Sequence, residues 1–161
     1  MGTPTISNGA KAPRRRDASS PRGATSEASA GNGSDRVIRR SDGGEVRFGQ
    51  DGILRFLQPR RQHVTIDVDI VEESVRAYHE ILKDQRVPVL VEMHNVSSFL
   101  RDARKQAADT DIASATAMVV GSRLSRLIVR IFVAVDRPAV PTRVFESTDD
   151  ALAWLKTFQE P

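Results

Sequence analysis

Residues 114–158 read SATAMVVGSRLSRLIVRIFVAVDRPAVPTRVFESTDDALAWLKTF, and this stretch decides the fold class. Its first apolar run, 115–120, predicts a strand that ends at Gly121. Apolar residues then recur at helical spacing as far as Val135, where two nearby prolines end the helix. A short strand and a last helix follow. Two strands joined through a helix pair in parallel, so the sequence predicts an α/β domain.

The residues before this stretch predict more elements of the same sheet. Segment 45–57 alternates polar and apolar side chains around Asp51 and Gly52, which predicts a β-hairpin. Residues 64–66 form a short extended piece. Apolar side chains at helical spacing over 71–82 then predict the first helix.

The central part of the chain predicts a buried strand followed by a second helix. Residues 87–93 are almost continuously apolar and rich in β-branched types, as in a strand covered on both faces. After a turn at 94–96, Ser97 or Ser98 is expected to cap a helix that ends near Asp109. The expected fold is a mixed, mostly parallel sheet with an N-terminal β-hairpin and four helices.

The N-terminal quarter of the chain has a different composition. Among large aliphatic and aromatic residues, 1–44 contains only Met1, Ile6, Val37 and Ile38. A segment with so little apolar surface cannot offset the entropy lost on ordering. We therefore expect residues 1–42 to be a disordered, basic tail rich in Ser, Gly, Ala and Arg, and residues 43–161 to form one α/β domain.

The positive charge of the chain belongs to this tail. The net charge is +3 for the full sequence, but residues 1–44 contribute +4 and the remainder −1. The tail lacks interleaved aromatic residues, so nucleic-acid binding is expected only weakly, through the tail.

The residue types also restrict compartment and chemistry. The chain has no cysteine, which excludes disulfides and thiolate sites and fits a reducing compartment. No apolar run is long enough to span a bilayer, and no apolar segment follows the basic N-terminus as in a secretory signal. The expected location is the cytoplasm.

Three segments resemble one known family. They are the hairpin 46–57, the passage VLVEMHNVSS at 89–98, and the ending PTRVFESTDDALAWL at 141–155. Together they resemble the small bacterial STAS/SpoIIAA-like domains, in particular the STAS/SEC14 domain-containing proteins. The resemblance implies a STAS-like α/β fold and a role in regulation or ligand binding. It also implies a regulatory serine after the central strand, and Ser97 and Ser98 lie near that place without the family's D-S-S-G context.

Enzyme chemistry finds little support in the sequence. Nine of the ten glycines lie at or before Gly52, so no glycine-rich loop is available to hold a nucleotide phosphate between a strand and a helix. His63, His79 and His94 lie on separate predicted elements without metal-ligand spacing. No catalytic residue, cofactor site or metal site is predicted, and the protein is expected not to be an enzyme.

The candidate interaction surface lies at the carboxyl ends of the two central strands. Loops at these ends run into helix N-termini, whose free N–H groups suit an anionic group or a partner carboxylate. The candidate residues are His94, Ser97, Ser98, Ser122 and Arg123. A stripe of Arg123, Arg126 and Arg130 on the following helix is either a solvated face or a contact surface for an acidic partner or lipid head groups.

These observations leave three functional hypotheses. The first is a non-enzymatic regulatory protein-interaction domain of STAS-like type, with a protein partner of unknown identity or a second copy in a homodimer. The second is a binding protein for a small apolar or lipid-like ligand, which the SEC14 side of the resemblance implies. The third is an uncharacterised enzyme. A ligand binder requires an apolar pocket, whereas an interaction domain requires an exposed apolar or charged patch.

Overall fold

The computed structural model describes residue 2 and residues 36–59 and 63–159. Its strands are β1 (Arg36–Arg39), β2 (Glu45–Phe48), β3 (Leu54–Leu57), β4 (Val64–Ile66), β5 (Pro88–Met93), β6 (Val96–Phe99), β7 (Ala115–Val120) and β8 (Thr142–Phe145). Its α-helices are α1 (Val68–Leu82), α2 (Arg101–Asp109), α3 (Arg123–Ile131) and α4 (Thr148–Lys156). A π-helical segment, Phe132–Asp136, continues α3.

Six strands form the main sheet in the order β1-β2-β3-β5-β7-β8. Strands β1 to β3 pair antiparallel, and the pairs β3–β5, β5–β7 and β7–β8 are parallel. Strands β4 and β6 form a separate parallel pair. This arrangement confirms the predicted fold class of a mixed, mostly parallel sheet with an N-terminal β-hairpin and four helices.

The hairpin between β2 and β3 turns at the predicted place. Gly52 has a φ of +70°, which glycine adopts at no steric cost. The carboxylate of Asp51 accepts a hydrogen bond of 2.9 Å from the Arg55 guanidinium. The Arg55 guanidinium lowers the pKa of Asp51 below its ordinary value.

The sheet is covered on both faces, which explains the continuous apolar character of its central strands. On β7, Ala115, Ala117 and Val119 face α4, where they pack against Ala151 and Leu155. The alternate residues of β7 face the other layer, which contains α1, α2, α3 and the β4–β6 pair. The carboxyl ends of β5 and β7 are therefore held between two packed layers.

Strand β1 corrects one boundary predicted from composition. It lies within residues 1–42, for which the sequence predicts disorder, and it pairs residue by residue with β2. Arg40, directly after β1, is only 6% exposed and its guanidinium binds the side chains of Asp42, Gln58 and Ser74. The disorder prediction missed β1 because the average composition of a long segment hides a short ordered stretch at its end. The rest of the predicted tail, residues 1 and 3–35, lies outside the described residues.

A second correction concerns the region after β5. Ser97 and Ser98 do not cap a helix, because they lie within β6, which pairs with β4. Val96 and Phe99 are buried at the ends of this strand, and α2 begins only at Arg101. The pairing partner of β6 is distant in sequence, so local capping signals favoured a helix start that tertiary pairing overrides.

Candidate functional site

His94 and Gly121 meet where β5 and β7 end at the same edge of the sheet. The His94 ring lies 3.2 Å from the Glu92 carboxylate, measured from Nε2 to Oε2. A Cβ atom at position 121 would lie only 2.6 Å from His94 Nδ1, so the turn after β7 admits only glycine without a shift of the histidine. The two loops predicted to meet from the parallel topology therefore do meet.

A serine pair fixes the start of α3 to the loop after β5. Ser122 is the N-cap of α3, and its Oγ accepts a 3.0 Å hydrogen bond from the Ser125 backbone N–H. The Ser122 hydroxyl also donates to Ser125 Oγ at 2.9 Å. The Ser125 hydroxyl in turn lies within hydrogen-bond distance of the carbonyl oxygens of His94 (3.3 Å) and Val96 (3.2 Å).

Ser125 is the residue that sequence reasoning missed. It has no exposed surface, although it lies on a helix whose neighbouring positions carry Leu and Arg. The only local signal was that Ser125 lies three residues after Ser122. An N-cap side chain accepts a hydrogen bond from the backbone N–H at this spacing. Its buried hydroxyl is satisfied through the carbonyls described above, so its role is to join α3 to the loop.

The five candidate residues do not form one cluster. His94 and Ser122 lie together through the Gly121 contact and Ser125. Arg123 is exposed on the first turn of α3. Ser97 lies on β6 and donates to the Val64 carbonyl oxygen at 3.2 Å, and Ser98 is partly buried opposite Thr65.

Asp67, Asp111 and His79 each have a structural partner. Asp67 caps α1 by accepting from the Ile70 backbone N–H, and Asp111 pairs with Arg86. His79 is hydrogen-bonded to the Lys83 carbonyl oxygen. Among the residues described in the structure, no three His, Asp or Glu side chains come together as a possible metal site.

Helix α3 presents an apolar face to solvent. Its inward positions are Ser125, Val129 and the following Phe132, each at most 2% exposed. The outward apolar residues are Leu124 (51% exposed), Leu127 (58%), Ile131 (40%) and Val135 (66%). We call these four residues the α3 face. The helical spacing of apolar residues was predicted correctly, but most of them lie outside the core.

Arginines border the α3 face. Arg123 and Arg130 are exposed, and they lie four residues before and three residues after Leu127, so all three side chains are neighbours on the helix surface. Arg126 instead forms an ion pair of 2.8 Å with Glu146. The predicted arginine stripe is therefore a positive border beside an apolar surface.

A cavity of about 150 Å³ lies between the sheet and the helices on the α1–α3 side. We call it the inner cavity. Its floor includes Phe56 of β3, Val91 of β5, Met118 of β7 and Thr142 of β8. Its other walls come from α1, the end of α2, and the segment 132–140. They include Ile70, Val71, Ser74, Val75, Tyr78, Ala107, Thr110, Ile112, Phe132, Pro138 and Val140, and Arg40 and Gln58 lie at one end.

Tyr78 closes one side of this cavity and is held by its hydroxyl group. The hydroxyl lies 2.7 Å from the Ile112 carbonyl oxygen and accepts a 3.1 Å hydrogen bond from the Val87 backbone N–H. Burial raises the pKa of Tyr78 above its ordinary value of 10.0.

None of the described helices combines the length and apolarity needed to cross a bilayer. No curated protein matches the chain. A solved structure of a protein of unknown function from Arthrobacter sp. FB24 is 31% identical over 68% of this chain and 96% of that one, with a TM-score of 0.27.

A second solved structure is that of an uncharacterized protein from Shewanella loihica PV-4, of the DUF3478 family, described as having a SpoIIAA-like fold. It is 13% identical, covers 76% of this chain and 92% of that one, and has a TM-score of 0.43. It bears the fold name that the sequence resemblance implied. The model of DUF7793, a domain of unknown function, matches residues 48–159, most of the described domain. The chain therefore belongs to the DUF7793 family.

Proposed function

We propose that this protein is a non-enzymatic, cytoplasmic interaction domain that binds an acidic partner protein through the α3 face. The observation that carries the proposal is the exposure of Leu124, Leu127, Ile131 and Val135, which range from 40% to 66% exposed. Single exposed apolar residues are ordinary, but four on one helix side form a contiguous patch of the kind found at interaction sites. The STAS-like resemblance supports a regulatory role for this contact.

The inward side of α3 supports the assignment of its outward side to a partner. Val129 and Phe132 already anchor the helix in the core, and Ser125 ties its first turn to the loop after β5. The α3 face is therefore not needed to hold the helix. Its apolar side chains remain available to an amphipathic helix that lays an apolar stripe against them.

Charge indicates the chemistry of the partner. Arg123 and Arg130 flank Leu127, so a partner helix with Asp or Glu beside its apolar stripe complements this surface. A second copy of this chain fits less well, because a two-fold contact through Leu127 brings the same arginines of both copies toward one another. We therefore propose that the partner that binds the α3 face is an acidic, amphipathic helix of another protein.

The geometry at the ends of β5 and β7 also supports a non-enzymatic role. The hydroxyls of Ser122 and Ser125 are engaged with one another and with backbone carbonyls. The hydrogen-bond partner of the His94 ring is Glu92. This arrangement gives neither serine a base in position to activate it as a nucleophile.

Site-specific photo-crosslinking tests the proposal in cells that naturally produce the protein. A photoreactive phenylalanine analogue replaces Leu127 in one variant and the exposed Ala153 of α4 in the control variant. We expect a crosslinked protein at position 127 and none at 153, with the crosslink in an acidic amphipathic segment. The purified partner should then bind the wild-type protein, and Leu127→Ser with Arg123→Ala should weaken binding by at least about tenfold.

Three outcomes contradict the proposal. Equal crosslinking at both positions means that the α3 face is not selective. Crosslinking to a second copy, with a matching dimer in sedimentation, makes the face a homodimer interface. Binding to anionic lipid vesicles that Leu127→Ser abolishes, without a protein crosslink, makes the occupant a membrane surface.

A further inference from the structure

We infer that the inner cavity is a binding site for a small, neutral, chain-like apolar molecule with one hydrogen-bonding end. This inference goes beyond the α3 face, which is a separate surface, and does not depend on it. The first observation is the size of the cavity, about 150 Å³, together with its mainly apolar lining. Cavities of this size that are lined mainly by apolar side chains accept small apolar guests.

The shape of the cavity favours a chain over a ring. Its floor runs across four neighbouring strands of the sheet, from Phe56 on β3 to Thr142 on β8. Neighbouring strands lie about 4.8 Å apart, so the floor is about 14 Å long. An alkyl chain can follow this elongated floor along its whole length, which a compact ring system cannot do.

The walls define the chemistry of the ligand. Side chains such as Val91, Met93, Met118 and Phe132 provide an apolar lining along the length of the cavity. Hydrogen-bonding groups of Gln58 and Ser74 lie at one end with Arg40. The Arg40 guanidinium pairs with Asp42 through contacts of 3.0 Å and 3.1 Å, so this end carries no net charge that would recruit a carboxylate. An alcohol or similar neutral polar end suits it.

The N-terminal segment of the chain itself is poorly suited to fill the cavity. Residues 1–35 contain Met1 and Ile6 as their only large apolar side chains. A separate small molecule is therefore the occupant that the lining fits.

Methionine methyl NMR provides a direct test on the full-length protein. Of the three methionines in the chain, Met93 and Met118 line the cavity. Titration with n-octanol should shift the methyl signals of Met93 and Met118 in a saturable manner. Octanoate and n-hexanol serve as comparison ligands, and both should bind more weakly than n-octanol.

A filled cavity provides the matched control. Ala107→Leu adds bulk to the wall on α2, and we expect it to weaken n-octanol binding by at least about tenfold. Ala153→Leu makes the same change on the exposed side of α4 and should leave the affinity unchanged.

The wild-type titration decides the inference even if the filled variant does not fold. Absence of saturable shifts at Met93 and Met118 up to the solubility limit of n-octanol overturns it. Tighter binding of octanoate than of n-octanol overturns the assignment of a neutral polar end. Failure to find a partner for the α3 face affects neither measurement.

Discussion

At the scale of single residues, the polar groups buried in this fold act as ties between elements. The Tyr78 hydroxyl joins α1 to the start of β5 and to the segment before β7, through Val87 and Ile112. Ser125 joins α3 to the loop after β5 in the same manner. In both cases a side-chain hydroxyl binds backbone groups of other segments of the chain.

Tyr78→Phe should lower the free energy of unfolding at neutral pH by about 1–3 kcal/mol, because the buried Val87 N–H loses its acceptor. The substitution should also change the alkaline side of the stability profile. Burial holds the pKa of Tyr78 above 10.0, so the unfolded chain releases this proton first as the pH rises. Wild-type stability should therefore fall from about pH 10 until the raised folded-state pKa is passed.

Urea denaturation as a function of pH checks this expectation. Tyr78 is the only tyrosine in the chain, so the difference between the two profiles reports this group alone. Parallel profiles for the wild type and Tyr78→Phe above pH 10 would contradict the burial argument.

The residues of the candidate site were predictable to different degrees. Ser122 was identified because it lies between a predicted strand and a predicted helix, and its capping contact with Ser125 is local in sequence. The burial of Ser125 was not predictable, since its acceptors are the carbonyls of His94 in the loop after β5 and of Val96 in β6, about 30 positions away in sequence. Ser97 and Ser98 were wrongly assigned to a helix start for a similar reason, because β4 alone determines that they lie in a strand.

At the scale of elements, α3 shows what helical periodicity predicts and what it does not. The pattern of Leu, Ile and Val from 124 to 135 predicts a helix, and a helix is present with its π-helical continuation. The pattern does not state which apolar positions face the core. In the tertiary structure Val129 and Phe132 are buried in the core, and the α3 face is exposed to solvent.

Leu127→Ser should therefore change the free energy of unfolding by no more than about 0.5 kcal/mol, as for other exposed positions. Val129→Ala, two residues along the same helix, should cost about 2 kcal/mol, because it removes two buried methyl groups from the core. Chemical denaturation of the two variants measures this contrast. A large loss for Leu127→Ser would show that the α3 face contributes to the fold.

At the scale of the whole molecule, the fold class followed from the alternation of strands and helices, whereas the domain boundary did not. The hairpin, the central strands and the last helix all lie close to their predicted positions. Strand β1 lies inside the predicted tail. Composition did not reveal it, because Val37 and Ile38 are too few to alter the average over a long polar segment. This segment is ordered by the pairing of β1 with β2 and by the burial of Arg40, and composition reports neither contact.

Two truncations separate the contributions of these segments. Deletion of residues 1–35 should leave the thermal midpoint nearly unchanged, because that segment has almost no apolar surface to bury. Deletion of residues 1–42 should lower stability by about 1–3 kcal/mol, since it removes β1 and leaves the side chains of Gln58 and Ser74 without the Arg40 guanidinium that binds them. Calorimetric melting compares both with the full chain, and equal midpoints for all three proteins would contradict this expectation.

The strand order has a consequence for how the chain folds. Short turns connect the paired strands of the β1–β3 meander, whereas Leu54 pairs with Val89 and Thr116 with Thr142 across much longer connections. Such high contact order requires large loops to close before their contacts form, and this slows the folding of mixed sheets relative to helical bundles. The meander is thus the natural early nucleus. Until β8 docks, the nascent chain exposes the edge of β7 together with the apolar side chains of α3. Aggregation during refolding should therefore rise with protein concentration even where the folded protein remains monomeric.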